Sequence, residues 1–226
     1  MTIDLPWDLS IIPEYFFFFK DAALLTLQIT TLGIIVGLGI GLMVAFAKIS
    51  RHKIFNIPAS GYIFLIRGTP LLLQLWIIYY GLTAIVTIPK FPSAVMALGI
   101  HNGAYIAEIF RGAIQSIDRG QMEAAQSIGM TYPKAMRRII LPQAFKRAVP
   151  PLGNQFIIAL KDSSLASTIA VHELLLKGRQ LGSSLFMYME MLIIVALWYL
   201  IMTTVLTYGV SVIEKRLQVS DYRSEH

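Results

Sequence analysis

The sequence has no cysteine and few charged residues. The absence of cysteine excludes a disulfide framework and a thiolate metal site. Charged residues make up 14% of the chain, whereas soluble domains carry about 25%. Hydrophobic residues make up 56%, and the mean hydropathy is +0.65. This balance predicts an integral membrane protein, and the length of 226 residues predicts one bundle, residues 1–226, rather than two domains.

Five apolar segments approach the length of about 20 residues that a helix needs to cross a bilayer. The second and fourth contain polar interruptions, RGTP and KDSS. The N-terminus MTIDLPWDLS is acidic and shows no A-x-A cleavage site, so we expect the first segment to remain as an anchor. These features predict an all-α integral membrane fold with five transmembrane helices, at residues 22–47, 55–82, 92–112, 150–170 and 188–212.

Basic residues concentrate in alternate loops. Since positively charged loops remain in the cytoplasm, we predict an N-terminus outside and a C-terminus inside, which requires an odd number of spans. The net charge of +6 then reflects orientation rather than nucleic-acid binding. The opposite side holds only Lys20, Lys90, Lys177 and Arg179. The predicted cytoplasmic basic residues are Lys48, Arg51, Lys53, Arg119, Lys134, Arg137, Arg138, Lys146, Arg147, Lys215, Arg216 and Arg223.

The second span carries Arg67-Gly68-Thr69-Pro70 near its middle. Proline lacks a backbone donor and disfavours α geometry at the residue before it, so we predict that the helix breaks and restarts. Thr69 would be the N-cap and Pro70 the first helical residue. The free N–H groups of residues 71–73 would then form an anion site at membrane depth. The alternative is a proline kink that only shapes packing.

The fourth span carries Lys161 and Asp162 at a similar depth. Adjacent residues face different directions on a helix, so these two side chains cannot simply neutralise each other. Either partners come from other spans, or the helix unwinds at Asp162 and Ser163. Asp162 is a candidate ammonium acceptor, and the alternative is a structural ion pair, for example with Arg67.

The third span carries Asn102, Tyr105 and Glu108 at helical spacing, which predicts one polar stripe. Glu108 and Arg111 are three residues apart, so an internal ion pair is the alternative. No second histidine stands at metal-ligand spacing from His101, and we predict no metal site.

Polar elements of three spans thus face one interior and match a zwitterion. Donors for a carboxylate come from the Thr69–Leu73 turn, Arg67 or Lys161, and acceptors for an ammonium from Asp162 and Glu108. The pattern predicts a polar, amino-acid-like solute. The candidate substrate-binding residues are Arg67, Gly68, Thr69, Leu73, Asn102, Tyr105, Glu108, Asn154, Lys161, Asp162 and Ser163.

Between the third and fourth spans lies a predicted two-helix hairpin. Residues 116–129 read as a short helix that ends at Gly129, a usual residue just past a helix end. Thr131 can cap a second, basic helix with Pro133 in its first turn, and Pro142 then bends the chain. A DNA-binding helix-turn-helix is disfavoured, because Pro142 interrupts the second helix and no third helix supports it. A lid on lipid and a docking element for a soluble partner both remain open.

The hairpin sequence resembles the cytoplasmic loop motif of ABC importer permeases. The motif runs E-A-A, three residues, Gly, nine residues, I-x-L-P, and is formed by Glu123, Ala124, Ala125, Gly129, Ile139, Leu141 and Pro142. The flanking segments RGTPLLLQ (67–74), NGAYIAEIFRGAI (102–114) and LPQAFKRAVPPLGNQFIIALKDSSLAS (141–167) are similar to the polar amino-acid branch, the glutamine, histidine and arginine permeases.

The resemblance implies a type I importer permease fold with five helices per subunit, in a bacterial cytoplasmic membrane. It also implies a second permease subunit, a dimer of cytoplasmic ATPase subunits and an extracytoplasmic solute-binding protein. The loop, at about residues 114–148, would be a coupling helix that docks on the ATPase through the seven motif residues. The chain has no GxxxxGK[ST] phosphate loop and no cofactor of its own, so ATP and Mg would be used by the partner ATPase.

The resulting expectation is a transport subunit, not an enzyme, that works by alternating access. The expected substrate is a polar or basic amino acid such as arginine, with glutamine or another polar amino acid as the alternative. A membrane enzyme is disfavoured because no nucleophile–base set is present. A passive channel and a membrane-anchored docking protein are the remaining classes.

Overall fold

The computed structural model describes residues 7–222, and their side chains as far as residue 217. Within these residues the chain is helical, with no strand. The α-helices are α1 (Ile12–Phe16), α2 (Lys20–Ile49), α3 (Lys53–Arg67), α4 (Leu71–Tyr79), α5 (Lys90–Gln115), α6 (Arg119–Ser127), α7 (Tyr132–Ala135), α8 (Leu141–Asp162), α9 (Leu174–Leu185) and α10 (Tyr188–Tyr222). Short 3-10 helices cover Leu9–Ile11, Phe17–Phe19, Gly81–Ala84 and Ser163–Ile169, and a π-helix covers Met136–Ile140.

Two helical stretches are long and apolar enough to cross a membrane outright. They are Leu9–Ile49, which contains α2, and Tyr188–Leu217 of α10. Lys53–Arg67 and Leu71–Ala84 qualify together as a broken pair, bent by 101°. The 26 residues of α5 and the 22 residues of α8 would span about 39 and 33 Å at 1.5 Å per residue. Those lengths suffice, but neither α5 nor α8 is apolar enough to be recognised as a membrane span by composition alone. The count of five spans therefore stays a prediction.

The centre of the bundle is the contact between α2 and α5, which glycines bring close together. A Cβ on Gly41 would lie 2.5 Å from Ile106 Cγ2, and a Cβ on Gly99 would lie 2.5 Å from Val36 Cγ1. Larger residues would push the two backbones apart. Small residues between membrane helices commonly allow this kind of close approach. Further glycines with close neighbours across this contact are Gly33, Gly37 and Gly103.

The helix of the fourth predicted span begins earlier than predicted, because α8 starts at Leu141 rather than near residue 150. It ends at Asp162, within the predicted KDSS interruption, and a 3-10 helix continues from Ser163 to Ile169, close to the predicted end at residue 170. Pro150 and Pro151 lie inside α8. Pro142 does not bend the chain as expected, because it sits in the first turn of α8, where no backbone donor is needed. The second hairpin helix therefore continues through the π-helix into α8.

Candidate translocation site and cytoplasmic hairpin

The predicted break in the second span is confirmed. α3 ends at Arg67 and α4 begins at Leu71. The predicted cap is wrong, because Pro70, with φ −64° and ψ 140°, occupies the N-cap position. The Thr69 hydroxyl instead donates to the Leu65 carbonyl at 2.8 Å. The Thr69 side chain thus bonds to the last turn of α3. It cannot cap α4, because the residue in extended conformation directly before α4 is Pro70.

Gln74 holds the two halves of the break together. Its side-chain Nε2 donates to the carbonyls of Ile66 and Thr69, at 2.8 and 3.1 Å, and to the Thr69 hydroxyl at 2.9 Å. One of these acceptors, the Ile66 carbonyl, is in the last turn of α3, where the end of a helix leaves carbonyls without a partner, and Thr69 lies just past that end. Its Oε1 accepts from His101 Nδ1 on α5, at 3.1 Å. Sequence reasoning missed Gln74, although a lone glutamine inside LLLQLW was a signal.

A partly exposed polar face lies beside the break. The guanidinium carbon of Arg67 stands 5.1 Å from the centre of the Tyr105 ring, within cation–π range. The rings of Tyr105 and His101 are also 5.1 Å apart. Arg67 forms no ion pair with Asp162 among the described residues, so the alternative of a structural pair between them is not what the structure shows.

The third-span stripe is only partly realised. Tyr105 and Glu108 are partly exposed, but Asn102 is fully buried. The Asn102 amide donates to the Leu98 carbonyl at 2.8 Å, and its oxygen accepts from Gln155 on α8 at 2.8 Å. Six residues along a helix correspond to a rotation of about 120° between side chains. Asn102 and Glu108 therefore face apart, and Asn102 joins α5 to α8.

Glu108 already has a cation partner. Arg111 Nη2 lies 2.7 Å from Glu108 Oε2, and Arg111 Nε lies 3.1 Å from both carboxylate oxygens. The structure thus shows the ion pair that the sequence left open as the alternative. A substrate cation that approached Glu108 would have to share it with Arg111 or displace Arg111.

Asp162 stands at a change of helix type, close to the second of the two alternatives that the sequence left open. The α-helix ends there, and Ser163–Ile169 continues as a 3-10 helix. The buried Ser163 hydroxyl donates to the Leu160 carbonyl at 2.7 Å. The half-buried carboxylate of Asp162 has no hydrogen bond or ion pair within the described side chains, and it does not cap the 3-10 helix. Lys161 and Asn154, two turns apart on α8, are exposed.

The two interrupted regions are connected. Trp76 Nε1 on α4 donates to the hydroxyl of Thr168 in the 3-10 helix, at 3.1 Å. The chain after the Arg67–Pro70 break is therefore tied to the chain after Asp162. Within residues 7–217, no group of three or more histidine, aspartate or glutamate side chains could hold a metal ion.

The hairpin turn has the predicted glycine stop. Gly129 has φ +81°, its N–H donates to the Gln126 carbonyl at 2.9 Å, and the Met130 N–H donates to the Ala125 carbonyl at 3.0 Å. This pair of bonds is a Schellman motif, which needs a left-handed residue just past the helix end. Thr131 takes the predicted N-cap position of α7, with ψ 152°, but its side chain forms no capping bond.

The residues of the loop motif divide into two groups. Ala125 is 2% exposed and Ile139 packs against the core, so their contacts are within the chain. Leu141 is half-buried. The exposed group consists of Glu123, Ala124, Gly129 and Pro142.

Sequence reasoning missed the most prominent apolar side chains of the hairpin. Ile128 is 78% exposed, and Tyr132 lies just past the turn and is also exposed. A large apolar residue directly before the turn glycine, in a loop expected outside the bilayer, was the available signal. Exposed apolar side chains next to Glu123 and Ala124 are typical of a protein-binding surface.

Long apolar helices, a helix pair broken at polar residues and a basic hairpin define a membrane transport subunit. The chain belongs to the family described as binding-protein-dependent transport system inner membrane component, which matches residues 37–219.

Three relatives match nearly the whole chain. It is 41% identical to the L-cystine transport system permease protein TcyB of Bacillus subtilis, over 94% of this chain and 92% of that protein. It is 37% identical to the arginine transport system permease protein ArtQ of Bacillus subtilis, over 93% and 96%. It is 41% identical to the glutamine transport system permease protein GlnP of Escherichia coli K12, over 88% and 92%.

A solved structure described as an amino acid ABC transporter with histidines shares this fold. Its TM-score is 0.89 at 41% identity, over 94% of this chain and all of that one. The resemblance to ABC importer permeases and the all-α permease fold are thereby confirmed. The relatives are transport subunits rather than enzymes.

Proposed function

We propose that the chain is the permease subunit of an ATP-driven importer that carries a polar or basic amino acid through a mid-membrane site. Three relatives named for cystine, arginine and glutamine support an amino-acid substrate. These substrates share an α-ammonium and an α-carboxylate. The observation that carries the proposal is the open Asp162 carboxylate, in a chain segment tied to the Arg67–Pro70 break through Trp76 and Thr168.

In the proposed site, the substrate carboxylate meets donors at the break. The N–H groups of residues 71–73 begin α4 and have no carbonyl partner within the helix, and Arg67 adds positive charge. Gly68 and Thr69 shape the turn, and the exposed Leu73 side chain lies next to it. The substrate ammonium meets Asp162, with Tyr105 alongside and with Asn154, Lys161 and Ser163 on the same stretch of chain. Asn102 acts indirectly, by holding α5 to α8.

The state of Glu108 separates the two substrate candidates. Arginine needs an acceptor for its guanidinium in addition to Asp162, and Glu108 is paired with Arg111. Glutamine needs only polar groups for its amide, and Glu108 could then remain paired. A basic substrate such as arginine therefore requires Glu108 to exchange Arg111 for the substrate guanidinium, whereas glutamine or another polar amino acid, the alternative, leaves the observed Glu108–Arg111 pair intact.

The test is uptake into vesicles that contain the whole complex, with labelled arginine and an excess of unlabelled arginine, glutamine or cystine. The proposal expects uptake that depends on ATP and on the binding protein. Uptake without ATP would indicate a passive channel, and binding of an ATPase without any uptake would indicate a docking protein. Uptake of labelled glutamine by the same vesicles, without uptake of labelled arginine, would select the alternative substrate.

The proposed topology has five crossings, formed by α2, the α3–α4 pair, α5, α8 and α10, with the N-terminus outside. Because the chain has no cysteine, single cysteines can report sidedness. Phe186, between α9 and α10, is 95% exposed and should react with an impermeant maleimide from outside after Phe186→Cys. Ile128→Cys should react only in permeabilised cells. The reverse pattern would overturn the orientation.

The hairpin is the proposed contact with the ATPase, in a complex of two permease subunits, two ATPase subunits and an extracytoplasmic binding protein. Glu123, Ala124 and Ile128 form its exposed surface. Ala125, Ile139 and Leu141 support that surface from behind, and Gly129 and Pro142 fix its ends. ATP binding would draw the two hairpins together and turn the site outward, and hydrolysis would reset it.

A further inference from the structure

A groove on the surface formed by α2, α5 and α8 meets the proposed transport machinery only at its hairpin end, where Leu141 and Pro142 line it. Its first part, about 320 Å³, is lined by Leu42, Phe46, Phe110 and Phe145, among others. Its second part, also about 320 Å³, lies one turn further along all three helices, at Leu38, Ile106 and Val149. Each of these residues is four positions from its counterpart, so the two parts follow one another along the same surface. Helix α10 forms a further wall of this second part, through Leu206, Val210 and Ile213.

The length of the groove matches one leaflet of a bilayer. Its lining on α2 runs from Ile34 to Phe46, which is about 18 Å at 1.5 Å per residue. Half of a hydrocarbon core is about 15 Å. Ile34 lies near the middle of α2 and Phe46 near the end that the proposed orientation places in the cytoplasm. The groove therefore covers the inner leaflet, and this step rests on that proposed orientation.

The mouth of the groove is positively charged. Arg137 lines the first part. A further cavity of about 560 Å³ shares Phe46 and Ile114 with it and is lined by Arg51 and His52. Neither the Arg51 nor the Arg137 guanidinium forms an ion pair or hydrogen bond with the described residues. Basic groups at the cytoplasmic membrane surface attract anionic lipid headgroups.

We propose that this groove binds an anionic phospholipid of the inner leaflet, with an acyl chain along α2 and the phosphate between Arg137 and Arg51. A second copy of the chain would not need two unpaired guanidinium groups at one end of an apolar groove. The site would join the loop between α2 and α3 to the hairpin through one lipid headgroup. Lipid and ATPase would then act on the same cytoplasmic element.

The test measures lipid retained by the full chain, purified in mild detergent and mixed with equal amounts of phosphatidylglycerol and phosphatidylcholine. Native mass spectrometry should show phosphatidylglycerol preferred by about fivefold or more, the factor expected for one basic group at a membrane surface. Equal retention of the two lipids would overturn the proposal, as would a dimer without lipid. This comparison needs no substitution and does not depend on orientation or transport, so it is separable from the proposed function.

Matched variants locate the site. Arg137→Gln should reduce the preference for phosphatidylglycerol about fivefold. Arg138→Gln removes the same charge from a neighbouring exposed residue outside the groove, and it should leave the preference unchanged. Leu42→Trp should fill the groove and abolish retention of both lipids, whereas Met43→Trp, at a position 68% exposed and outside it, should not. Equal effects within either pair would contradict the proposed site.

Discussion

The chain interrupts its helices in two contrasting ways, at Arg67–Pro70 and at Gly129. At the first, side chains of Thr69 and Gln74 satisfy the carbonyls at the end of α3. At the second, backbone bonds alone close the turn, and nothing lies within 4 Å of the position that a Cβ on Gly129 would occupy. In the proposed topology the break lies within the bilayer, where no water satisfies its polar groups, and the turn lies in the cytoplasm, where water does. The side-chain hydrogen bonds of Thr69 and Gln74 at the break, called the clasp below, fit that placement.

The largest expected effect follows removal of the clasp by Gln74→Met, which keeps the length of the side chain. The Ile66 and Thr69 carbonyls and His101 Nδ1 would lose this hydrogen-bond partner, whereas the Thr69 hydroxyl keeps its bond to the Leu65 carbonyl. At about 1 kcal/mol for each of these three partly buried groups, we expect a loss of about 3 kcal/mol of stability. Thermal unfolding in detergent measures it. Gln126→Met, at an exposed hairpin position, is the control and should change little. Equal loss in both variants would remove the contrast between the two regions.

The second prediction concerns transport through the membrane region. Asp162→Asn removes the charge but keeps the shape, and a hydrogen bond to a charged group contributes about 1.5–3 kcal/mol. Uptake at low substrate concentration should fall by about 10- to 100-fold, with assembly of the complex unchanged. Lys161→Met, at the exposed neighbour, should reduce uptake less. Normal uptake by Asp162→Asn would mean that Asp162 is not the ammonium partner.

The third prediction concerns the hairpin. Gly129→Asp adds a negatively charged side chain at φ +81°, a conformation that asparagine and aspartate adopt more readily than other residues with a side chain. The added charge on the proposed docking surface should abolish ATPase stimulation by the loaded binding protein, while membrane insertion is kept. Gly129→Asn is the matched control, because it adds a side chain of the same size without the charge. If Gly129→Asp retains full stimulation, the hairpin does not couple the two subunits.

The sequence predicted those features that depend on the backbone properties of a single residue. Pro70 predicted the break, and Gly129 predicted the turn with its positive φ. It failed where a contact across helices decides. The Gln74–His101 bond joins residues 27 positions apart, and the Asn102–Gln155 bond joins residues 53 positions apart. Spacing along one helix cannot show which of two neighbouring polar residues turns toward another helix.

The boundary of α8 shows the same limit in another form. The predicted span begins at residue 150, where the apolar segment begins, but α8 begins at Leu141 and holds Pro150 and Pro151 in its interior, a position that proline disfavours. Within a packed bundle, neighbouring helices can satisfy the backbone groups that proline frees, and the helix then continues. The start at Leu141 was therefore not available from local composition. For the exposed Ile128 the sequence did offer a signal, a large apolar residue directly before the turn glycine, but its degree of exposure depends on the packing of the whole hairpin.

The smallest expected effect concerns the two hydrogen bonds of the Thr69 hydroxyl. Thr69→Val keeps the volume and loses the hydroxyl, which donates to the Leu65 carbonyl and accepts from Gln74. Gln74 still reaches the Ile66 and Thr69 carbonyls, so the loss should be about 1 kcal/mol, the contribution of one hydrogen bond. Thr69→Ser keeps the hydroxyl and is the control for thermal unfolding. A loss in Thr69→Val as large as in Gln74→Met would mean that the hydroxyl, rather than the glutamine amide, holds the break. The break would then be stabilised by the Thr69–Leu65 hydrogen bond, and the contact between Gln74 and His101 would not contribute.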